Sequence, residues 1–349
     1  MYFMGIDHHM QYSQFTVLEE NGKIIKAGRV WNTHDQVKEF LTGLDGEMEG
    51  VVEAGRSHYT ILDLMESFGV RMKIAHPLLV KAIAKAKIKT DKRDSLTLAH
   101  LLRMNYIPEV FKRSNENRQA QRVLRHRSAY VQMRTRIKNR IRALLAQQRE
   151  EVRQIAAMEK NLFNAKSIKM LHQLDLPGKD QEMLGSMLET IQHTESKIQQ
   201  SDALVKWIYN NSEQARLIST IPGFGNFFSV LVATEIADIQ RFSSAAKLHS
   251  YAGVIPTTHA SGGKVSHGRL VLQGNKWLRW AAVEAVWPAV KVDFDLNLYY
   301  QRIAKKKGAN PAKVASARRL LTIIYRVLKE NRTYIPYKRK KQKAAFKHA

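Results

Sequence analysis

Short apolar runs alternate with polar turns through the first third of the chain. Their period predicts strands at residues 2–7, 15–18, 23–31, 50–54 and 70–75. Asn21-Gly22, between the second and third runs, is a typical hairpin turn. Apolar positions at helical spacing predict helices over 57–68, closed by Gly69, and over 78–87 and 92–104. Hairpin-linked strands followed by helix-linked strands indicate an α/β layer fold with a mixed sheet.

The pattern changes at about residue 114, after which the chain to about 209 is predicted to be wholly helical. The first helix has an apolar face formed by Val123, Tyr130, Met133, Ile137, Ile141 and Leu144. Farther on, a seven-residue repeat runs through Leu184, Ile191, Ile198 and Val205, with Met187 and Ile208 three residues on. This repeat predicts a coiled-coil segment, which would pack either in a dimer or in an internal hairpin.

The rest of the chain predicts a smaller helical domain with glycine-rich connections and then a basic end, in which 338–343 is expected to be disordered without a partner. We therefore divide the chain into 1–111, an α/β domain; 112–209, a basic helix and coiled-coil segment; 210–300, a helical domain; and 301–349, a basic helix and tail.

Charge distinguishes these segments more clearly than composition does. The chain has 349 residues and a formal net charge of +26, which indicates a polyanionic partner. Residues 112–153 hold 13 basic and 3 acidic residues, and residues 302–349 hold 16 and 1, so these two segments carry nearly the whole excess. A solubilising surface is the alternative explanation, chiefly for the tail.

The basic residues of 112–153 surround the apolar face of the first long helix. A helix so charged repels itself unless phosphates or carboxylates neutralise it, and we interpret it as a nucleic-acid contact surface. The candidate contacts are Arg118, Arg122, Arg125, Arg127, Arg134, Arg136, Lys138, Arg140 and Arg142.

Four carboxylates stand where the predicted strands and helices end or begin. Asp7 and Glu53 end apolar strands, while Asp91 and Asp94 lie three residues apart at a helix start. Burial favours the neutral form of an acid, so four converging carboxylates would require a cation. Two Mg²⁺ ions bound by oxygen ligands fit such a site and could clamp the oxygens of a phosphodiester. In the alternative interpretation Asp91 caps the helix, Asp94 pairs with a lysine and the other two are solvated.

Two glycine-rich segments in the later domain are further candidates. Gly223 and Gly225, in Ile221-Pro222-Gly223-Phe224-Gly225, separate two predicted helices in a turn that resembles a helix-hairpin-helix and could bind phosphate; an ordinary tight connection is the alternative. Residues 253–264 are predicted to form a polar loop containing Ser261, which could attack phosphorus if its hydroxyl were activated. The candidate phosphate contacts around this loop are Lys264, Arg269, Lys276 and Arg279.

The helix that follows the loop carries Trp277, Trp280, Glu284 and Trp287 on one face. Tryptophan at this spacing more often belongs to a core than to a base-stacking surface.

Several function classes are excluded. The chain has no cysteine, which excludes disulfides, thiol chemistry and cysteine-ligated metals. The phosphate-binding loop of ATPases is absent, so no nucleotide cofactor is expected. The thirteen histidines show no paired metal-ligand spacing, and we assign them no ligand role. No apolar run reaches the roughly 18 residues of a membrane span, and no signal peptide is recognised, so we expect a soluble intracellular protein.

The order of these motifs resembles the DEDD transposases of bacterial insertion sequences. The resemblance rests on the Ile-Asp strand, the strand-end glutamate, Thr-Asp-x-x-Asp, the arginine-rich helix, Ile-Pro-Gly-x-Gly, the Ser-Gly-Gly-Lys loop and the Gly-Asn-x-x-Leu-Arg helix, and it covers about residues 1–300. It implies a RuvC-like, RNase H-like catalytic domain joined to a C-terminal transposase domain, and a cytoplasmic, nucleoid-associated location in a bacterium.

The resemblance also implies roles for residues. Asp7, Glu53, Asp91 and Asp94 would bind magnesium, and Ser261 would be the nucleophile that forms a transient 5′-phosphoserine. The protein would exchange strands between donor and target double-stranded DNA as a homodimer or tetramer, with the acidic site of one subunit working with the serine of another. A non-coding bridge RNA would specify both DNA sites by base pairing.

Two other functions remain open from the residues alone. A RuvC-like nuclease would hydrolyse branched DNA with magnesium and no covalent intermediate, leaving Ser261 structural. A non-catalytic nucleic-acid-binding protein would retain the fold without cleavage or joining.

Overall fold

The computed structural model describes residues 1–84, 90–158, 161–261, 264–271 and 273–337. The chain divides into two compact units, Met1–Arg113 and Ser114–Ala349, which are described separately. The first unit is built on a five-stranded sheet, and the second is almost entirely helical.

The first unit follows the order β1 to β3, α1, β4, α2, β5, α3, α4. Its strands are β1 (Tyr2–His8), β2 (Tyr12–Glu19), β3 (Ile24–Trp31), β4 (Met48–Glu53) and β5 (Arg71–Ala75). Its helices are α1 (His34–Leu41), α2 (His58–Ser67), α3 (Pro77–Ile83) and α4 (Asp91–Arg103). The sheet order is β3-β2-β1-β4-β5, with β1, β2 and β3 antiparallel and β1, β4 and β5 parallel.

This mixed sheet confirms the α/β expectation, and each predicted strand is present. Gly22 has a φ of +88° in the β2–β3 turn, and the Lys23 backbone N–H donates to Asn21 Oδ1 at 2.8 Å, so the Asn-Gly turn forms as its chemistry predicts. Helix α1 was not predicted, although its buried residues Val37, Phe40 and Leu41 have the i, i+3, i+4 spacing of an amphipathic helix. The predicted extension of α3 to residue 87 lies outside the described residues.

Helix α4 packs directly on β1 at Gly5. A Cβ atom at Gly5 would lie 1.9 Å from the Ser95 carbonyl oxygen, a separation that two atoms cannot adopt. Beside this contact, Thr16 on β2 shares a buried hydrogen bond of 2.8 Å with the Ser95 hydroxyl. The helix can approach the sheet so closely only because position 5 has no side chain.

The two faces of the sheet belong to different apolar clusters. Met4, Ile6 and Val52 pack with the α1 and α2 side. Val51 packs with Leu98 and the other buried leucines of α4. Because side chains alternate along a strand, Gly5 and Asp7 share the α4 face of β1, and Val51 and Glu53 share the same face of β4.

The second unit contains eleven α-helices, a short 3-10 helix (Ile239–Arg241) and one hairpin among its described residues. The helices are α5 (Asn115–Leu145), α6 (Glu150–Met158), α7 (Ala165–His172), α8 (Gly178–Asn210), α9 (Glu213–Ser219), α10 (Asn226–Ile236), α11 (Ala245–Ala252), α12 (Lys276–Glu284), α13 (Val286–Val292), α14 (Phe294–Lys307) and α15 (Ala309–Lys329). The strands are β6 (Pro256–Ser261) and β7 (Lys264–Leu270).

Helices α5 and α8 pack as an antiparallel pair. Arg127 binds Asp202 at 2.8 Å, while Arg134 and Lys138, farther along α5, approach Glu195, earlier on α8. Leu184, Leu188, Ile191, Ile198 and Val205 are buried. The repeat therefore packs within the chain, as the internal-hairpin alternative predicted. The region 114–209 is not one continuous helical stretch, because irregular connections separate α5 to α8.

The buried face of α5 also differs from the prediction. Its buried residues are Leu124, Ser128, Ile137, Ile141 and Leu145, whereas Met133 is 47% exposed. Ile137 and Ile141 are buried as predicted and Val123 and Leu144 are partly buried, so the buried face overlaps the predicted one but is shifted toward Leu124, Ser128 and Leu145.

A second core unites α9 to α15. It includes Leu231, Leu248, Ala282, Leu321 and Ile324, so helix α15 is packed inside this unit. Helix α14 runs across residue 300, the predicted boundary between the helical domain and the basic helix and tail. The tail beyond 337 lies outside the described residues. No helix in the described part of the chain has the length and apolar character needed to cross a membrane.

Replacing Gly5 by alanine should strongly destabilise the first unit. The new methyl group would force α4 away from β1, at an expected cost of about 3 kcal/mol or more. Urea denaturation followed by circular dichroism measures the change. Gly28→Ala, on β3 of the same sheet, is the matched control, because its Cβ would meet only Phe40 at 3.7 Å. Equal stability of the two variants would contradict the packing described here.

Candidate functional site

Asp7 and Glu53 lie at neighbouring positions on one edge of the sheet. Ile6 pairs with Val52 in the parallel β1–β4 ladder, so the next residues, Asp7 and Glu53, come side by side on the α4 face. Both line a small cavity of about 150 Å³. Asp7 is half-buried, and Glu53 is exposed at the open end.

Helix α4 brings Asp91 to this edge. Thr90 is the residue that caps the helix, since its side chain accepts a hydrogen bond from the Arg93 backbone N–H. The alternative that Asp91 serves as the cap is therefore wrong. Asp91 is the first helical residue, and its carboxylate oxygen lies 3.3 Å from His9 Nε2.

His9 joins the two aspartates. Its Nε2 atom also lies 3.5 Å from Asp7 Oδ2, and one ligand atom from each of Asp7, His9 and Asp91 falls within 4.8 Å of the others. Nε2 is shielded from solvent and makes no hydrogen bond to the described residues. No ligand role was assigned to any histidine from the sequence, whereas this geometry makes His9 a candidate ligand beside Asp7 and Asp91. In the sequence, the feature that could have indicated this cluster is the position of His9, two residues after the strand-end Asp7.

The structure groups three of the four predicted acids around Asp7 and places the fourth, Asp94, farther along the same helix turn as Asp91. Asp7 connects the group around His9 with the cavity that Glu53 lines. Asp94 is half-buried in the first turn of α4, three residues after Asp91. Arg29 NH2 lies 3.9 Å from Asp91 and stacks over Tyr12, which adds a positive charge on the β3 side.

This donor set fits a divalent cation. Carboxylate oxygens are the ligands that Mg²⁺ prefers, and imidazole nitrogen is a ligand for heavier first-row metals. The shielded Nε2 atom of His9 lies close to the carboxylates of both Asp7 and Asp91, an arrangement that also suits a bound metal ion. The adjacent His8 faces elsewhere, since its ring nitrogens contact Ser13 at 2.9 Å and Ser57 at 3.1 Å. Burial lowers the pKa of His8, which favours its neutral form.

Ser261 lies at the end of a strand. Residues 256–270 form the antiparallel β6–β7 hairpin, in which Ser261 pairs with Lys264. The predicted polar loop over 253–264 is therefore wrong for most of its length, because cross-strand pairing satisfies its backbone. Gly262 and Gly263 lie outside the described residues, as do the side chains of Ser261, Lys264 and Arg269.

A buried carboxylate anchors the base of this hairpin. Glu235 on α10 is 1% exposed, pairs with Arg125 of α5, and accepts hydrogen bonds from Asn275 at 2.6 Å and Gln121 at 3.3 Å. The Asn275 Oδ1 atom caps α12 by accepting from the Trp277 and Leu278 backbone N–H groups.

The two ends of the hairpin meet at this anchor. The Asn275 backbone N–H donates to the Tyr251 carbonyl at 2.7 Å. A Cβ at Gly274 would lie 2.8 Å from the Gly253 backbone, so the segments that enter and leave the hairpin are in direct contact. Arg279, a predicted phosphate contact, instead points its NH1 toward the Gly253 and Val271 carbonyls at 3.4 Å. Glu235, Arg125 and Asn275 were not recognised from the sequence as parts of one cluster.

The basic helix α5 is partly neutralised by carboxylates of its own unit. Arg125 pairs with Glu235, Arg127 with Asp202, and both Arg134 and Lys138 with Glu195. Partial burial lowers the pKa of Lys138. Arg118 is half-buried, and Arg142 stacks over Phe163. The other predicted contacts on this helix are Arg122, Arg136 and Arg140, and all three are exposed.

The glycines between α9 and α10 have different surroundings. Gly223 has a φ of +96°, and a Cβ there would lie 2.5 Å from the Ala285 carbonyl, so packing alone requires glycine at this position. Gly225 is exposed before α10 and has open space around it. Lys276 is exposed at the start of α12.

Comparisons with known proteins agree with the resemblance. A DEDD family model of the IS110 type, described as a transposase, matches residues 4–149, and the model of the transposase IS116/IS110/IS902 family matches residues 215–301. Together the two models match more than half of the chain.

Curated relatives are similar over most of their length. The transposase for insertion sequence element IS1111A of Coxiella burnetii is 24% identical over 95% of this chain and 90% of the relative. The pilin gene-inverting protein of Moraxella bovis is 28% identical over 76% of this chain and 74% of the relative. A probable family 20 transposase of Pseudomonas aeruginosa is 22% identical over 86% and 89%.

Removal of one carboxylate should weaken divalent-cation binding. Asp7→Asn replaces a charged ligand with a neutral amide, and we expect the affinity for Mn²⁺, measured by isothermal titration calorimetry, to fall by about tenfold or more. Asp35→Asn is the control, because Asp35 is a 98% exposed acid outside the group. Unchanged Mn²⁺ affinity in Asp7→Asn would contradict the assignment of the group as a cation site.

Loss of Arg125 should be far more costly than loss of Arg127 on the same helix. Arg125→Ala leaves the buried Glu235 charge without its cation, at an expected cost of about 3–5 kcal/mol in the free energy of unfolding. Asp202, the partner of Arg127, is 46% exposed, so Arg127→Ala should cost about 1 kcal/mol. Denaturant titration measures both, and a similar cost for the two variants would show that Glu235 is not a buried ion-pair partner.

Proposed function

This chain belongs to the IS116/IS110/IS902 family of transposases and is a DNA transposase, and we propose that it cuts and rejoins donor and target DNA with an acidic metal site and a serine nucleophile. The observation that carries the proposal is the convergence of Asp7, Glu53 and Asp91 at one edge of a mixed sheet. The strand order β3-β2-β1-β4-β5 supports an RNase H-like, RuvC-like assignment for this unit.

In the proposal Asp7, Glu53, Asp91 and Asp94 hold two Mg²⁺ ions, and His9 lies beside Asp7 and Asp91. Bound divalent ions would supply charge stabilisation for the attacking and leaving oxygens of a phosphodiester. The contribution of the chain is to fix the carboxylates, since β1 holds Asp7, β4 holds Glu53 and α4 holds both aspartates of its first turn. Asp94 would complete the set from a position three residues after Asp91 in the first turn of α4.

Ser261 would act as the nucleophile. Its Oγ would form a bond to phosphorus while the bond from phosphorus to the 3′ oxygen breaks, which leaves a 5′-phosphoserine on one side and a 3′-hydroxyl on the other. The serine proton would pass to a base and then to the leaving 3′ oxygen. A 3′-hydroxyl of the second DNA would reverse the step and release Ser261, so no nucleotide cofactor is needed.

The Glu235 cluster supports this role for the hairpin. Asn275, Tyr251 and Gly253 join the segments on either side of β6 and β7, and Glu235 links them to α5. A nucleophile on a flexible loop loses orientation, whereas one at the end of a paired strand is held close to its reacting geometry.

Nucleic-acid binding would use the exposed cations. Arg122, Arg136 and Arg140 on α5 would contact phosphates, with Lys276 on α12 and Lys264 and Arg269 on β7 as further contacts. Gly225 would offer its exposed backbone at the start of α10. We further propose a non-coding bridge RNA as the guide and a homodimer or tetramer in which the acids and the serine of different subunits cooperate.

Substitution of the nucleophile tests the central proposal. Ser261→Ala should abolish the covalent protein–DNA adduct and lower recombination by at least a thousandfold, a loss typical for removal of a catalytic nucleophile. Denaturing gels of reactions with labelled DNA measure the adduct. Ser266→Ala, on the facing strand β7, is the control.

The same experiment discriminates the alternative. Asp7→Asn should abolish activity in a recombinase and in a hydrolytic RuvC-like nuclease alike. If Ser261→Ala kept full activity and the wild-type protein gave no adduct, the serine mechanism would be wrong and magnesium-dependent hydrolysis would be favoured.

The salt dependence of binding tests the surface of α5. Each phosphate neutralised on B-DNA contributes about −0.9 to the slope of log affinity against log salt. Arg136→Gln and Arg140→Gln should each reduce the slope by about that amount in fluorescence anisotropy titrations. Lys179→Gln, at an 87% exposed position on α8, is the control. An unchanged slope in both arginine variants would place the DNA contact elsewhere.

A further inference from the structure

An exposed aromatic cluster lies where α10 and α12 meet. The ring of Trp280 lies edge-on to those of Phe228, Trp277 and Phe227, with centroids 5.0, 5.8 and 6.0 Å away. Trp280 nevertheless remains 39% exposed, although tryptophan at this helical spacing was expected to belong to the core. An indole fixed by three neighbouring rings and open to solvent on one side is a rigid platform for another flat, apolar group.

This platform forms part of a pocket. A cavity of about 320 Å³ is lined by Gln132 of α5 and by Lys276, Trp277 and Trp280 of α12. Its volume lies at the lower end of the range for small-molecule sites, about 300–1,000 Å³, and so suits a single ring system. None of the described residues that line it carries a carboxylate.

Positive charge borders the cluster. Lys276 is exposed at the rim, the Arg125 guanidinium covers the Trp277 ring at 3.8 Å, and the Arg127 guanidinium covers the Phe227 ring at 4.4 Å. An apolar protein partner would have to desolvate the rim lysine without a paired acid, which is unfavourable. A group that is flat, apolar on its faces and attached to a phosphate satisfies all of these features.

We propose that this pocket binds an unpaired base of the DNA substrate. The base stacks on Trp280, its edge is within the reach of the Gln132 amide, which can donate and accept, and the adjoining phosphate meets Lys276. DNA is the source of the base, because this chain is a DNA transposase, and moving a strand from one duplex to another requires base pairs to open. The inference requires only that the chain acts on DNA, and it is independent of the serine mechanism.

Binding to gapped DNA tests the proposal. The full chain is titrated with labelled duplex DNA that carries a single unpaired base, and in parallel with the fully paired duplex. Trp280→Ala should weaken binding to the unpaired-base DNA by about tenfold and leave duplex binding unchanged, since stacking is lost only where a base is free. Trp287→Ala is the matched control, because Trp287 is 45% exposed on α13 and packs on Tyr300.

An abasic substitution isolates the base itself. Removing the unpaired base from the DNA should weaken binding to the wild-type protein by the same factor and should not further weaken binding to Trp280→Ala. Lys276→Gln should weaken binding to both DNAs, because its partner is a phosphate. Trp280→Phe, which keeps an aromatic face, should restore most of the loss, whereas Trp280→Leu, which fills the space without stacking, should not.

Three results would overturn the proposal. The first is that Trp280→Ala weakens binding to the paired duplex as much as binding to the unpaired-base DNA, while the melting temperature of the protein is unchanged. The second is rescue by Trp280→Leu, which would indicate a purely packing role. The third is that Trp280→Ala weakens binding to an RNA duplex with one unpaired base and not to the corresponding DNA, which would exclude DNA as the source of the base. Loss of adduct formation in Ser261→Ala bears on the serine mechanism and leaves this test unaffected.

Discussion

The acidic site depends on one steric constraint, the direct contact of helix α4 with β1 at Gly5. Because Ser95 and Ala99 lie against the bare backbone of Gly5, the helix approaches the sheet closely, and its first residue, Asp91, reaches the end of β1. Asp7 is two residues beyond Gly5 on the same face, and parallel pairing places Glu53 beside it. The buried Thr16–Ser95 hydrogen bond helps to fix the helix along its axis. Three elements far apart in sequence thus present carboxylates at one sheet edge.

The basic residues of α5 fall into two groups, those paired with carboxylates of the same unit and those that face solvent. A helix with as many arginines as α5 would repel itself, and its own unit supplies part of the neutralisation through Asp202, Glu195 and Glu235. The pair with Glu235 is the buried one, and it ties α5 to the base of the hairpin that carries Ser261. Other cations of the same helix, among them Arg136 and Arg140, face solvent. Net charge alone therefore overstates the number of residues that can contact nucleic acid.

The two candidate chemical groups are held by different means. The carboxylates are fixed at the ends of strands and at a helix start, where backbone hydrogen bonds leave little freedom. Ser261 lies at the end of a two-stranded hairpin whose base is closed by Asn275 and the Gly253–Gly274 contact. A short hairpin has few long-range contacts of its own, so its position depends on this base. The Glu235 cluster is consequently part of the proposed site although it bears no reacting group.

The sequence by itself determined the strands of the sheet, the Asn-Gly turn and the positions of Asp7, Glu53 and Asp91 at element ends. These features are local, because side-chain alternation, turn chemistry and helix starts are encoded within a few residues. Only the tertiary structure decided that His9 joins the aspartates, that Trp280 stays exposed and that Arg125 serves Glu235, 110 residues away. It also decided that a glycine- and serine-rich segment, which local propensity assigns to a loop, pairs as β6 and β7. These contacts depend on which residues far apart in sequence pack together. The period of hydrophobic positions along the chain contains no information about that packing.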